Sequence, residues 1–243
     1  MKENPYDRDS FFQQYAGMAR SQQGLAGAGE WYALKRLLPD PAGMDVLDLG
    51  CGFGWHCAWA AEQGAASVLG IDLSEKMLAE AAKRCLAEQI RYRCCAIEDY
   101  EYPADSFDLV VSSLAFHYIE DFVNICRGVA HTLRPGGRFV FSVEHPVFTA
   151  EGRQDWLYGE DGNIRCWPVD RYFSAGPREA VFLGEKMTKY HRTLTQYVGA
   201  LLAAGFKLSG LVEPEPDPAM LYLPGMADEL RRPMMLLVSA ELG

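Results

Sequence analysis

No part of this chain is apolar for the roughly 20 residues that a membrane helix needs. The longest run without Asp, Glu, Lys or Arg, Thr193 to Phe206, has 14 residues and carries Thr and Gln, so no transmembrane helix and no membrane partner is expected. Basic charge is also short: 23 Lys and Arg stand against 33 Asp and Glu, a formal net charge of −10. That balance repels phosphate backbones, and with no basic stripe to offset it nucleic acid is not an expected partner. C-x-x-C spacing is absent among the seven cysteines at 51, 57, 85, 94, 95, 126 and 166. A chain this long buries about 70–75% of its unfolded surface without staples, so free, mostly buried thiols are expected. Carboxylates at metal-ligand spacing are missing as well, which leaves no metal in the expected mechanism. The N-terminus, Met-Lys-Glu-Asn-Pro-Tyr-Asp-Arg-Asp, is followed by no apolar stretch of the kind a secretory signal has, and the expected compartment is the cytoplasm.

What the chain does have is 49% apolar residues arranged in alternating short and helical runs. Trp31, Leu34, Leu37 and Leu38 recur at helical spacing within 8–38, interrupted by a flexible Gly24–Gly29 stretch and stopped by Pro39-Asp40-Pro41. From Asp45 onward, strand-like runs at 46–49, 68–72, 90–95, 107–112 and 138–143 alternate with helices. That alternation predicts an α/β, doubly wound, mostly parallel sheet covered on both faces. Ser74 is positioned to cap the helix after Asp72, and Thr193 with Gln196 forms a capping-box pattern before a late helix. Residues 149–187 show no clear period. Phe206–Val212 and Met234–Ala240 read as two closing strands. The expected organisation is one domain over 1–243, comprising a helical cap (1–40), a cofactor-binding core (45–148), an insert or lid (149–190) and a closing helix with strands (191–243).

The glycines of Asp48-Leu49-Gly50-Cys51-Gly52-Phe53-Gly54 follow the first strand directly, where a doubly wound sheet binds its ligand and where the backbone must approach closely. The spacing is G-x-G-x-G; a dinucleotide fingerprint would place its last glycine at Trp55, which argues against NAD. Asp72 ends the second strand 24 residues after Asp48, where a carboxylate can accept ribose hydroxyls. Taken alone, the glycines would make a tight turn and Asp72 a helix cap.

Val46–Gly54, Gly70-Ile71-Asp72-Leu73-Ser74, Asp105-Ser106-Phe107-Asp108-Leu109-Val110 and Leu133-Arg134-Pro135-Gly136-Gly137 together resemble the successive motifs of the class I S-adenosylmethionine-dependent methyltransferases. The ends of the chain, Phe11–Leu38 and Thr188–Pro214, resemble bacterial small-molecule members. The resemblance implies a seven-stranded Rossmann-like sheet with its last strand antiparallel, and S-adenosylmethionine as cofactor with S-adenosylhomocysteine as product. It implies that Gly50, Cys51 and Gly52 lie against the methionine part, with Asp48 holding the loop or the cofactor's amino group. Asp72 would meet the ribose, and Leu73 and Met77 the adenine, although Met77 suits a core equally well. The family's adenine-binding Asp is replaced here by Ala96, which leaves that role to the Ile97 amide and Glu98 or Asp99. Ser113 and Leu114, with Ser112, would offer carbonyls to the ammonium.

Methyl transfer from a sulfonium is an in-line displacement, so a protonated acceptor needs a base, and histidine has a suitable pKa. His117, after the fourth strand, His145, after the fifth and before Pro146, and His191, before the late helix, are the catalytic candidates. Arg192, beside a helix N-terminus, is a candidate for a substrate carboxylate. Tyr15, Arg20, Trp31 and Tyr190 complete the expected substrate surface, with Trp156, Tyr158, Trp167 and Tyr172 from the insert. His56 and His131, inside helices, receive no role. The expected function is methyl transfer to an O or N atom of a small molecule by a monomer or homodimer. A non-catalytic cofactor-binding regulator or scaffold is the alternative, while an NAD oxidoreductase and a tRNA or protein methylase are disfavoured.

Overall fold

The alternating apolar runs become one seven-stranded sheet in a computed structural model that describes residues 4–243. In chain order the first five strands are β1 (Asp45–Leu49), β2 (Ser67–Asp72), β3 (Ile90–Cys94), β4 (Phe107–Ser113) and β5 (Leu133–Glu144). Two hairpins follow, β6 (Leu157–Tyr158) with β7 (Ile164–Cys166) and β8 (Gly176–Phe182) with β9 (Glu185–His191), before the closing strands β10 (Phe206–Val212) and β11 (Met235–Leu242). The spatial order is β10-β11-β5-β4-β1-β2-β3. All neighbours pair in parallel except β11, which runs antiparallel to both β5 and β10. The chain builds outward from β1 in one direction and then, with β4, in the other. Ligands of open α/β sheets bind at such a reversal, outside the carboxyl ends of the strands.

The helices are α1 (Asp9–Ala16), α2 (Ala19–Gln22), α3 (Trp31–Leu37), α4 (Trp55–Glu62), α5 (Glu75–Arg84), α6 (Phe122–Thr132), α7 (Pro146–Thr149) and α8 (Leu194–Ala203). One face of the sheet presents Leu47, Val110, Phe139, Phe141 and Val238 to α6 and α8 through Phe122, Ile125, Tyr197 and Leu201. The other presents Val46, Leu109, Val140 and Leu237 to α3 and α4 through Leu34, Cys57 and Ala60. Strands buried on both faces read as near-continuous apolar runs, which is why they were visible in the sequence.

Both expected caps form. Ser74 Oγ accepts from the Met77 amide at 3.1 Å. The Thr193 amide donates to Gln196 Oε1 at 2.9 Å while the Gln196 amide donates to Thr193 Oγ1 at 3.2 Å, each such cap contributing about 1 kcal/mol. Three readings need correction. The glycine stretch expected to be flexible is a 3-10 turn over Gly24–Gly27 with both end glycines buried. The 149–187 region, read as having no clear period, runs into a regular hairpin: β8 and β9 pair along their whole lengths around a tight turn at Leu183-Gly184, both with positive φ. Its inward face carries Arg178, Lys189 and His191 beside Ala180 and Met187, so apolar alternation is masked, and Leu-Gly lacks the usual Asn-Gly turn signal. Finally, β5, expected over 138–143, begins at Leu133 and takes in Arg134-Pro135-Gly136-Gly137. Residues 1–3 of the expected 1–40 cap lie outside the described residues. No helix among the described residues is long and apolar enough to cross a membrane.

Candidate active site

β1 ends in a loop whose glycines have distinct tasks. A Cβ at Gly50 (φ +76°) would stand 2.7 Å from the Ala115 Cβ, whereas one at Gly52 (φ +54°) would meet no atom within 4 Å. The first glycine permits a close approach within the protein; the second leaves a concavity open. The loop is held from β2, where the Ile71 carbonyl accepts from the Gly50 and Cys51 amides, each at 2.9 Å. Asp72 Oδ2 accepts from the Gly52 amide and Oδ1 from the Ser74 amide, both at 2.9 Å, so one carboxylate joins the glycine loop to the start of α5. Burial pushes the Asp72 pKa up, an effect opposed by those two amides. At the end of β4, Leu114 adopts a left-handed conformation (φ 54°), a strain typical of ligand sites.

These elements form one wall of a cavity of about 610 Å³. Its other walls come from the N-terminal segment and the β8–β9 hairpin. Gly50, Cys51, Gly52, Asp72, Leu73, Met77, Ala96, Ile97, Glu98, Ser113 and Leu114 line it, together with His117, Tyr15, Arg20 and Tyr190.

Several expected site residues do not line it: Ser112 and the insert's Trp156, Tyr158, Trp167 and Tyr172 are not among its walls, and five more are held elsewhere. Asp48 lies beneath the loop, 1% exposed, with Oδ2 accepting from Cys57 Sγ at 3.3 Å and Oδ1 without a partner among the described residues; burial raises its pKa to about 7. Trp31 packs edge-on against His56 and Trp59. His145 caps α7, its Nδ1 accepting from the Val147 amide at 3.0 Å, and its Nε2 sits 2.7 Å from Glu213 Oε1. His191 is spanned by Thr149 Oγ1 and the Tyr172 carbonyl, each 2.8 Å from a ring nitrogen. Arg192 is consumed by backbone: its guanidinium donates to the carbonyls of Phe116, Tyr190, Ile119 and Glu120, which leaves no face for a substrate carboxylate.

The cavity also holds residues not singled out from the sequence: Tyr6, His56, Tyr118, Glu144 and Lys189. Lys189 Nζ lies 2.6 Å from Glu144 Oε1 and 2.8 Å from Gln154 Oε1, and Gln154 Nε2 donates to Glu144 Oε2 at 2.6 Å. Burial pushes the Glu144 carboxyl up, but His117, Lys189 and Gln154 together bring it below its ordinary value. Arg20 is paired with Glu30 at 2.7 Å, and Glu30 is 2% exposed. Burial holds both His56 and His117 down to about 4, so each is neutral near pH 7. His117 Nε2 stands 4.0 Å from Glu144 Oε1 and its Nδ1 has no hydrogen-bond partner among the described residues. Two sequence signals were available. Glu144 is the last residue of a strand pointing at the ligand edge, and His56 opens the helix that follows the glycine loop.

A parallel sheet with an antiparallel last strand, a Gly-Cys-Gly loop at the reversal and an acidic residue ending the second strand define an enzyme of the Rossmann-like methyltransferase class. Comparison with known proteins agrees. Residues 47–141 match the methyltransferase domain family. A candidate S-adenosylmethionine-dependent methyltransferase from Listeria monocytogenes is 54% identical, with 89% of this chain and 99% of that one covered at a TM-score of 0.84. The S-adenosylmethionine-dependent methyltransferase of Mesorhizobium loti is 47% identical, with 90% and 100% covered at a TM-score of 0.83. A ubiquinone biosynthesis O-methyltransferase of Idiomarina loihiensis is 40% identical over 48% of this chain and 47% of its own length, so the chain spans about half of that relative. The chain belongs to the class I S-adenosylmethionine-dependent methyltransferases, and S-adenosylmethionine is its cofactor. The residues present fit that molecule: the open side of Gly52 gives room beside the backbone, and Asp72 presents a buried carboxylate on the same wall.

Proposed function

We propose that this methyltransferase acts on an oxygen or nitrogen atom of a small molecule, with His117 as the proton acceptor and Glu144 as its positioning partner. The observation that carries this reading is that His117, neutral and unpartnered at Nδ1, shares one cavity with Gly52 and Asp72. Bound S-adenosylmethionine supplies an electrophilic methyl group on a sulfonium. The protein's part is to bind, orient and receive a proton. Asp72 would accept the ribose hydroxyls, Leu73, Met77 and Ile97 would hold the adenine, and the Ser113 and Leu114 carbonyls would take the ammonium. With Nε2–H toward Glu144, His117 would carry its lone pair on Nδ1, a buried atom with no partner among the described residues. The N-terminal segment and the hairpin close over the cavity, which favours a small acceptor over a polymer. The O-methyltransferase activity of the ubiquinone-pathway relative supports a hydroxyl acceptor.

The test is calorimetric titration with S-adenosylhomocysteine beside NADH, followed by turnover with labelled S-adenosylmethionine. The reading expects adenosyl binding that Asp72→Ala weakens, no NADH binding, and turnover that His117→Gln lowers about 100-fold or more without changing S-adenosylhomocysteine affinity. Equal turnover in wild type and His117→Gln would remove the base assignment; binding without transfer to any small molecule would favour a regulatory cofactor-binding protein.

A further inference from the structure

The charges that line the cavity define what kind of acceptor it takes. Among the described lining residues the cations are Arg20 and Lys189, and each is neutralised by a buried carboxylate, Glu30 at 2.7 Å and Glu144 at 2.6 Å. Lys189 is 3% exposed; its ammonium also donates to Gln154 Oε1 at 2.8 Å and faces the rings of Phe182 and Tyr118, 5.7 and 5.9 Å away. His117 and His56 are uncharged, and Arg192 is saturated by backbone carbonyls. Asp72, Glu98 and Glu120 add further carboxylates to the same walls. An anionic group placed here would exchange water for walls whose own cations are all compensated, and burying a charge that the protein does not pair is strongly unfavourable. The remaining wall is apolar and aromatic: Tyr6, Tyr118, Phe182, Met187, Met234 and Met235.

From this arrangement we infer that the methyl acceptor carries no phosphate or carboxylate: it is an uncharged or amine-bearing molecule with an aromatic or otherwise apolar body. The inference deepens the reading of a small-molecule methyltransferase and rests on it. The Glu144–Lys189 pair then acts as a selectivity element, because it holds a lysine in the acceptor end of the cavity while cancelling the attraction that lysine would exert on anions.

Three probes that share a phenol ring and differ in charge test this: 4-ethylphenol, tyramine and 4-hydroxyphenylacetate, each titrated calorimetrically into the full chain saturated with S-adenosylhomocysteine. Wild type is expected to bind 4-ethylphenol or tyramine more tightly than 4-hydroxyphenylacetate. Glu144→Gln, which keeps the shape and uncovers the Lys189 charge, should raise affinity for 4-hydroxyphenylacetate about tenfold or more and leave 4-ethylphenol little changed. Met234→Lys, at a more exposed position of the same wall, should also favour the anion and serves if Glu144→Gln does not fold. Tightest binding of the anion by wild type, or no gain for the anion in either variant, overturns the inference. The probes are read as binders, so this outcome is separate from the turnover of His117→Gln, and S-adenosylhomocysteine binding in each sample reports independently on the cofactor site.

Discussion

Lys189 and Glu144 meet at 2.6 Å across the cavity, one from β9 and the other from the end of β5, and the pair ties the hairpin to the sheet edge. An ion pair this buried is costly to break, because the partner left behind remains desolvated. Lys189→Met is expected to lower unfolding stability by about 3–5 kcal/mol, and Lys189→Met combined with Glu144→Gln to recover most of that loss. Urea denaturation of the single and double variants checks this. Equal destabilisation in both would mean the pair contributes through packing alone.

The glycine loop separates folding from binding. Gly50→Ala drives a methyl group against Ala115 and should reduce the melting temperature clearly. Gly52→Ala finds open space in the protein, so beyond about 1 kcal/mol of backbone strain it should leave stability intact while weakening S-adenosylhomocysteine at least several-fold. Calorimetry beside thermal melts distinguishes them; unchanged cofactor affinity in Gly52→Ala would place the ligand elsewhere.

Burial lowers the His117 pKa from an ordinary 6.5 to about 4. A depressed pKa contributes stability that is fully present above pH 6.5 and lost as pH falls toward 4. Wild type should therefore lose about 2–3 kcal/mol relative to His117→Gln between pH 7 and pH 4. Denaturation midpoints across that range test the sign, and the same neutrality means turnover should show no inflection near pH 6.5 from this residue.

Asp48 has the opposite sign. Its pKa, raised by burial from 3.8 to about 7, means that the neutral form is favoured in the folded chain, so stability present below pH 4 is lost as pH rises through 7. Asp48→Asn removes the titration. Its stability relative to wild type should improve by roughly 2–4 kcal/mol between pH 4 and pH 8, and a difference independent of pH would show that Asp48 is ionised throughout.

Arg192 holds four backbone carbonyls, three in the 116–120 stretch and one in its own, and so its replacement by Met should cost about 3 kcal/mol or more of stability. The KM for the acceptor should change little in the protein that still folds. A large KM increase with intact stability would return Arg192 to the substrate site.

How far the sequence could be read depended on whether the signal was local. The alternation of strands with helices, the Ser74 cap and the Thr193–Gln196 capping box follow from residue types a few positions apart. So does the position of Gly50, Gly52 and Asp72 on one sheet edge, because strand ends and tight turns are written in neighbouring residues. The seven-stranded sheet with its antiparallel last strand, by contrast, was implied by the resemblance to the methyltransferase family. Choosing among polar residues at that edge was a different matter. In Glu144-His145 the histidine is the better base by residue type, yet successive residues leave a strand on opposite sides, and the one that entered the cavity is Glu144. In Lys189-Tyr190-His191-Arg192 alternation does not decide, because Lys189 and His191 share the inward face; His191 and Arg192 turn to Tyr172, Thr149 and the backbone while Lys189 meets Glu144.

The sequence by itself determined the alternation of strands and helices, the parallel sheet it builds and the glycine loop that a cofactor needs, since these rest on periodicity and short-range turn chemistry. Only the tertiary structure decided which charged groups face the acceptor and which are cancelled. Arg20 meets Glu30 within the N-terminal segment, but Lys189 and Glu144 are 45 residues apart and Arg192 reaches carbonyls more than 70 residues away. Electrostatic neutralisation depends on distances of a few ångströms in space, and sequence spacing carries no record of them.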